Sequence, residues 1–363
     1  MCIKKEYFFD THLIYVIKMK KITTYTILLI FIGNMMISCH SEKSNGNNKN
    51  SETVEYLHPQ ISTVYDSIYT SLPGNMLVTD DYVAWTDPHS AENFLHIISK
   101  ADKREVEAVG NIGSGPHDFA TPFIDKGNKN EFVIYDYNLK KKANVLVDEF
   151  DHEGNGVVFE NTVKLKNILR SRKLSDGSEL VFSPNAKYPF GIIKDASVYY
   201  GGKYPIDNGE LHADDKFNYF QGTIEYNEMN ERILYSAYSF RYMALYERRG
   251  NKIQMIKETA LPEYSIRDNR LKLGKNEIGV SEVAMTQNYI ITAEYFDKDI
   301  SSKDLKPNNY TLPESLCVYD YDLRLKKILK VDKPIMRISG HSNSDTIYAI
   351  VEDPDFKIVS ITF

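Results

Sequence analysis

From Tyr56 onward the chain is a succession of short runs rich in Val, Ile, Tyr and Phe. None keeps the 3.6-residue period of a long amphipathic helix. "YVAWT", "FLHII", "EFVIYDY", "ANVLV", "RILYSAY", "YIITAEY" and "TIYAIV" are examples, and Asp-Asp, Gly-Gly, Asn-Gly or Pro bound many of them. Many short strands with regular turn signals restrict the fold to an all-β sandwich, barrel or propeller. Internal repetition chooses among these. Four segments align: "FLHIISKADKREVEAV" from Phe94, "FVIYDYNLKKKANVLV" from Phe132, "YMALYERRGNKIQMIK" from Tyr242 and "LCVYDYDLRLKKILKV" from Leu316. Each is an apolar strand, a charged turn and a second apolar strand, which is the outer half of a propeller blade. At about 40–50 residues per blade, the roughly 300 residues that follow Tyr56 predict a six-bladed β-propeller, or seven blades if the loops are short. "STVYDSIYT", ahead of the first repeat, is placed to pair with the terminal "FKIVSITF" and remove the free sheet edges of an open ring.

The N-terminal part follows different rules. From Met19 it reads "MKKITTYTILLIFIGNMMISC": two lysines, an apolar run centred on Ile27 to Ile32, and small Ser38 before Cys39. A basic segment, a short apolar segment and a small residue before the cleavage point make a secretory signal, and the run falls short of the ~20 apolar residues of a membrane span. Met36, Ile37 and Ser38 before Cys39 resemble the lipobox of bacterial lipoproteins, with Met36 where leucine is usual. That resemblance implies acylation of the Cys39 thiol. The expected organisation is therefore a signal peptide over 1–38 with the start at Met19, a lipidated cysteine and flexible tether over 39–55, and a propeller over 56–363. "HSEKSNGNNKNSE" has the polar, Asn/Ser/Gly/Lys-rich composition of such a tether. The cysteines stand at 2, 39 and 317. With Cys39 acylated and Cys2 removed, Cys317 is left alone in a strand-like run, as a small buried hydrophobe.

Later residues carry a further resemblance. Gly113, Gly115, Pro116 and Phe119 in "GSGPHDF" resemble the corner of TolB-like six-bladed β-propeller lipoproteins of the Bacteroidetes, with His117 for the family's glycine and Asp118 for its glutamate. "YFQGTIEYNEMNERILYSAY" (219–238) and "DTIYAIVEDPDFKIVSITF" (345–363) are similar to that family's mid-chain strand pair and last blade. The resemblance implies an envelope lipoprotein and supplies no catalytic residues.

Chemistry is sparse. A net charge of −6 and a pI near 5.9 give no clustered cationic face for nucleic acid. "GNIGSGPHDFATP" (110–122) is rich in glycine, but no Lys-Ser/Thr follows Gly115 and the spacing is not G-x-G-x-x-G, so neither nucleotide-loop pattern is met. It reads as a tight corner pinned by Phe119, and only His117 and Asp118 keep a claim to chemistry. The nine histidines lack any ligand spacing, so no metal and no cofactor are expected. Paired acids such as Asp80-Asp81 and Asp214-Asp215 fit solvated turns.

The aromatic content offers a binding surface instead. Tyr199, Tyr200, Tyr204 and Tyr219 flank a polar insert that carries Asp214 and Asp215. Tyr has an apolar face for a sugar ring and a polar tip for its hydroxyls. The plainer alternative is that these tyrosines fill gaps between blades, as Trp85 is expected to do. The sequence thus predicts a lipid-anchored outer-membrane propeller, monomeric, that binds a glycan, peptide or envelope protein. A propeller hydrolase or lyase with acids in its central funnel is the alternative. Three or more ionisable groups converging at the funnel mouth would count against pure binding, and scattered Tyr and Asn there would count against an enzyme. Whether the domain faces the periplasm or the outside is left open, since only Glu42 follows Cys39 as an acidic surface signal.

Overall fold

Six antiparallel sheets of four main strands each follow one another along the chain and close into a ring. The fold was obtained as a computed structural model. It describes residues 54–127, 129–150, 156–161, 168–206, 209, 211–274, 279–280, 282–294 and 312–363. The signal segment, Cys39 and most of the expected tether lie outside these residues. Among the described residues no helix is long and apolar enough to cross a membrane.

The innermost strands are Met76–Val78 in blade 1, Phe123–Lys126 in blade 2, Arg170–Lys173 in blade 3, Gly222–Asn227 in blade 4, Val283–Met285 in blade 5 and Ile335–Gly340 in blade 6. From each, the chain steps outward through antiparallel neighbours. Burial follows the same gradient. The second strand of blade 2, Glu131–Asp136, is buried at every position, whereas the outer strand Lys252–Glu258 of blade 4 is mostly exposed. Ring closure is as expected: Gln60–Ile68 becomes the outer strand of blade 6 and pairs antiparallel with Phe356–Thr362, with Ile61 opposite Ile361. A short strand, Glu55–Leu57, starts one residue inside the expected tether and pairs parallel with the outer strand Leu325–Lys330 of blade 5.

Three of the four repeat segments are outer hairpins, as predicted. The segment from Phe132 is instead the middle pair of blade 2, Glu131–Asp136 with Lys141–Leu146. Its likeness to "CVYDYDLRLKK" is that of two Asp-containing hairpin turns, which form wherever two strands reverse. The four-segment alignment therefore compared unlike strands.

Packing between blades explains the tyrosines. Blades 5 and 6 meet through an aliphatic cluster that includes Ile291, Leu316, Ile335, Ile347 and Val359. Blades 3 and 4 meet through Phe182, Phe190, Tyr204, Tyr235, Tyr242 and Tyr246. These rings bury area while their hydroxyls find partners: Tyr235 donates to Phe220 O (2.9 Å), Tyr246 to Lys203 O (2.9 Å) and Tyr242 to Glu258 Oε2 (2.6 Å). Trp85 packs between blades 6 and 1 beside Ile350 and Ile358, and Cys317 is a buried free thiol pushed by burial up to about 12.

The glycine-rich stretch is the corner from blade 1 to blade 2. Gly110 has φ +82°, and a Cβ there would meet the Phe94 ring, a position only glycine takes without strain. Cβ atoms at Gly113 or Gly115 would strike the Asp118 carboxylate. Asp118 turns inward and accepts from Gly115 N (2.8 Å), while fully buried Phe119 sits edge-on to Phe94. His117 stacks on Phe159.

The inner strands finish at one end of the central channel, here called the lower end, and a side-chain bond crosses every blade boundary there. Asn130 donates to Asp81 (2.9 Å), Lys173 pairs with Glu131 (2.9 Å) and Arg248 with Asp176 (2.7 Å). Asn227 donates to Thr286 O (2.8 Å), Asn288 to Asp345 (2.8 Å), and Asn343 to Asp80.

Candidate functional site

Inner-strand residues two apart share the channel-facing side, about 6.6 Å from one another along the strand. Three adjacent blades put paired residues there: Phe123 and Asp125, Arg170 and Arg172, Thr223 and Glu225. The first of each pair stands at the upper mouth and the second one layer down. All of these but Arg172, with Asn75, Tyr238, Glu282 and Arg337, line a cavity of about 100 Å³.

The deeper layer is an ion-paired cluster. Buried Arg172 places Nε 3.4 Å from Asp125 Oδ1 and Nη1 3.2 Å from Glu225 Oε2. Across the channel, Arg337 Nη1 lies 3.2 Å from Glu282 Oε1, and Ile338 N donates to Glu282 Oε2 (3.3 Å). Burial disfavours charge here. It pushes the Asp125 carboxyl up to about 6, against the pull of Arg172. It pushes Glu282 up to about 7, against Arg337. Below them, burial and then Arg172 lower Lys126 to about 8, while its ammonium donates across the channel to Gly340 O (2.6 Å).

The upper layer differs. Arg170 lies over the Phe123 ring at 4.2 Å, and donates to Leu169 O (3.0 Å) and Tyr238 Oη (3.3 Å). Thr223 Oγ1 donates to the same phenol oxygen (3.0 Å). Among the described residues no carboxylate is paired with Arg170.

The residues expected from the sequence fall elsewhere and do not gather into one surface. Tyr199 and Tyr200 are 42% and 60% exposed on the outer strand of blade 3, and as strand neighbours they point to opposite faces. Tyr204 is buried and donates to Ser183 O (2.7 Å) and Ala186 O (2.8 Å). Asp215, 3% exposed, sits in the short helix Ala213–Tyr219 and holds the hairpin Tyr264–Leu273: it accepts from Leu271 N (2.7 Å) and pairs with Arg270 (3.0 Å). Asp214 is exposed beside His212, and Tyr219 packs half-buried against the blade 3–4 core. His117 and Asp118 belong to the corner already described. Among the described residues no three of His, Cys, Asp and Glu are grouped to hold a metal ion. Sequence reasoning missed Asp125, Arg170, Thr223, Tyr238, Glu282 and Arg337. A charged or polar residue at every second position of "RSR" and "TIE", and an aromatic then an acid in "FID", were the available signal.

No family model matches the chain, and no curated protein matches it. Among solved structures it is similar to a DUF4221-family protein from Bacteroides vulgatus, at 13% identity and a TM-score of 0.53, over 85% of this chain and 96% of that one. The chain is a six-bladed β-propeller. It is also similar, at lower scores, to regucalcin from Agrobacterium tumefaciens, a calcium-binding protein (10% identity, TM-score 0.48, 85% of this chain and 95% of that one). A streptogramin B lyase follows (12% identity, TM-score 0.45, 84% and 97%). At these identities the likeness is one of fold.

Proposed function

We propose that this propeller is a binding module of the bacterial envelope, anchored in the outer membrane through Cys39, that takes its ligand at the upper mouth of the central channel. The ligand is a small polar molecule, or the polar tip of a glycan, peptide or envelope protein. One observation carries the reading: hydrogen-bonding groups from several blades converge on one cavity, and the arginine at its rim has no carboxylate partner among the described residues. Rigid blades that present side chains around a funnel suit recognition. The signal-like "MKKITTYTILLIFIGNMMISC" supports export and lipidation. The corner at Gly113–Phe119, with the order of the similar segments, supports placement among the TolB-like lipoproteins of the Bacteroidetes. The test is a glycan- and peptide-array screen of the full chain beside a Thr223→Phe variant that fills the mouth. Hits lost in the variant, at unchanged melting temperature, support the site; hits retained in full place binding elsewhere. Metabolic labelling with a fatty acid, lost in Cys39→Ala, tests the anchor.

A second reading has its own observation. Ionisable groups do converge in the channel, the condition named from the sequence as counting against pure binding, and Asp125 and Glu282 are held near neutrality, where a carboxyl group can exchange protons in acid–base chemistry. It predicts a ligand that is turned over by the wild type and bound unchanged by Asp125→Asn or Glu282→Gln. Binding hits that stay intact with the wild type count against it.

A further inference from the structure

We propose that the upper mouth recognises a sugar acid, with the ligand carboxylate seated on Arg170 and Tyr238. The inference rests on the reading that ligand enters at this mouth, and adds its chemical class.

The donors come first. A guanidinium carries five N–H groups. Arg170 uses one on Leu169 O and one on Tyr238 Oη, which leaves three for a ligand. The Phe123 face beneath it holds the planar fork in place, the arrangement suited to bidentate recognition of a carboxylate. Arg337, the other arginine lining the cavity, and Arg172, which holds two of its lining acids, are both paired with carboxylates. Tyr238 adds a second donor. Its oxygen lies 3.3 Å from Arg170 Nη2 and 3.0 Å from Thr223 Oγ1, and the rotatable O–H can turn to donate to an anion seated at the rim while Thr223 donates to the phenol oxygen. Two donor groups thus meet at one cavity rim, and an anionic acceptor completes both.

The rest of the cavity selects the body of the ligand. Asp125, Glu225 and Glu282 line its deeper part, where carboxylate oxygens accept hydrogen bonds from hydroxyls. Arg172 and Arg337 face these acids, which keeps the site from repelling an anion. Phe123 is covered by Arg170 and offers no apolar seat for a peptide side chain. A volume of about 100 Å³ is roughly that of three waters at ~30 Å³ each, enough for a carboxylate and its adjoining carbinol with the remaining ring outside. A hydroxylated carboxylate fits all of these features.

Calorimetric titration of the full chain with D-glucuronate, D-glucose and inorganic phosphate tests the assignment. Glucuronate is expected to bind, with glucose and phosphate weaker by about tenfold or more. Arg170→Gln should cost glucuronate about tenfold or more and leave glucose unchanged, and Arg170→Lys should lose part of that because it keeps charge without the fork. Tyr238→Phe should weaken glucuronate several-fold. Melting curves of all three variants confirm folding, and the lysine variant serves if the glutamine one does not fold. Equal affinity for glucuronate and glucose, tighter phosphate, no glucuronate binding, or indifference to both Arg170 variants overturns the proposal. If a neutral ligand or a peptide binds and Thr223→Phe abolishes it, the mouth stands and the sugar-acid assignment falls. If ligands bind regardless of Thr223→Phe, both fall.

Discussion

The two ends of the channel are built from the same six strands and finished differently. At the lower end each boundary between blades is crossed by a hydrogen bond or ion pair from a turn or strand end, and Lys126 reaches across the channel to Gly340. At the upper end the Arg170 guanidinium keeps N–H groups unspent and has no carboxylate partner among the described residues. A buried polar group that lacks a partner is costly, so a fold tolerates spare donors only where solvent or a ligand reaches them. The contrast separates the end that holds the ring from the end proposed to read a ligand.

The largest perturbation available is at the joint between the two ends. Arg172→Met leaves Asp125 and Glu225 facing each other without their cation, and should cost about 3–5 kcal/mol in urea denaturation, as for a broken buried pair. A loss below about 1 kcal/mol would mean that the cluster is solvated and the layered account is wrong.

A smaller effect is expected from the lower ring. Asp345→Ala removes the acceptor for Thr286 Oγ1, Asn288 N and Asn288 Nδ2, at a cost of about 1–3 kcal/mol. Tyr238→Phe at the upper end should cost no more than about 1 kcal/mol, since it removes one hydroxyl at an open rim. If the upper variant proves as destabilising as the lower one, the contrast between the ends fails.

Acidity gives a third test. Asp125 and Glu282 have folded-state values raised to about 6 and about 7, above ordinary carboxylates near ~4. The folded protein therefore holds protons that the unfolded chain has released. Their contribution to stability is complete below the unfolded values and is lost as pH climbs through the folded ones. Denaturation midpoints should fall from pH 4 to 8 more steeply in the wild type than in Glu282→Gln. Identical slopes would contradict the burial of Glu282.

The smallest effect belongs to the outer edge. Tyr200→Ser, on an exposed outer strand, should change stability by no more than about 0.5 kcal/mol and leave ligand binding at the mouth unaltered; a measurable binding loss would revive the outer-strand surface.

Much of the fold was legible because its signals are local. Alternating apolar runs, the Gly110–Phe119 corner, the closing strand and the burial of Trp85 and Cys317 each follow from neighbouring residues. The repeat was harder to place. Hairpin turns look alike, so the Phe132 segment was aligned with outer hairpins although it is a middle pair. The sounder repeat is an Asp or Asn after or near the end of each inner strand: Asp81, Asn130, Asp176, Asn227, Asn288 and Asp345. Its meaning is invisible locally, because the partner lies in the next blade. The site was hidden for the same reason. Arg170 and Tyr238 are 68 residues apart and meet only when blades 3 and 4 pack. The Tyr-flanked insert was conspicuous in composition, yet Tyr204 and Asp215 are spent on holding the blade 3–4 connection together.

The most direct measurement is a crystal structure of the full chain grown with D-glucuronate. The account predicts density at the upper mouth, with the carboxylate against Arg170 and the Tyr238 hydroxyl, and the lower mouth beside Lys126 empty of ligand. Density at the lower mouth, or on the outer strand at Tyr199 and Tyr200, would contradict it.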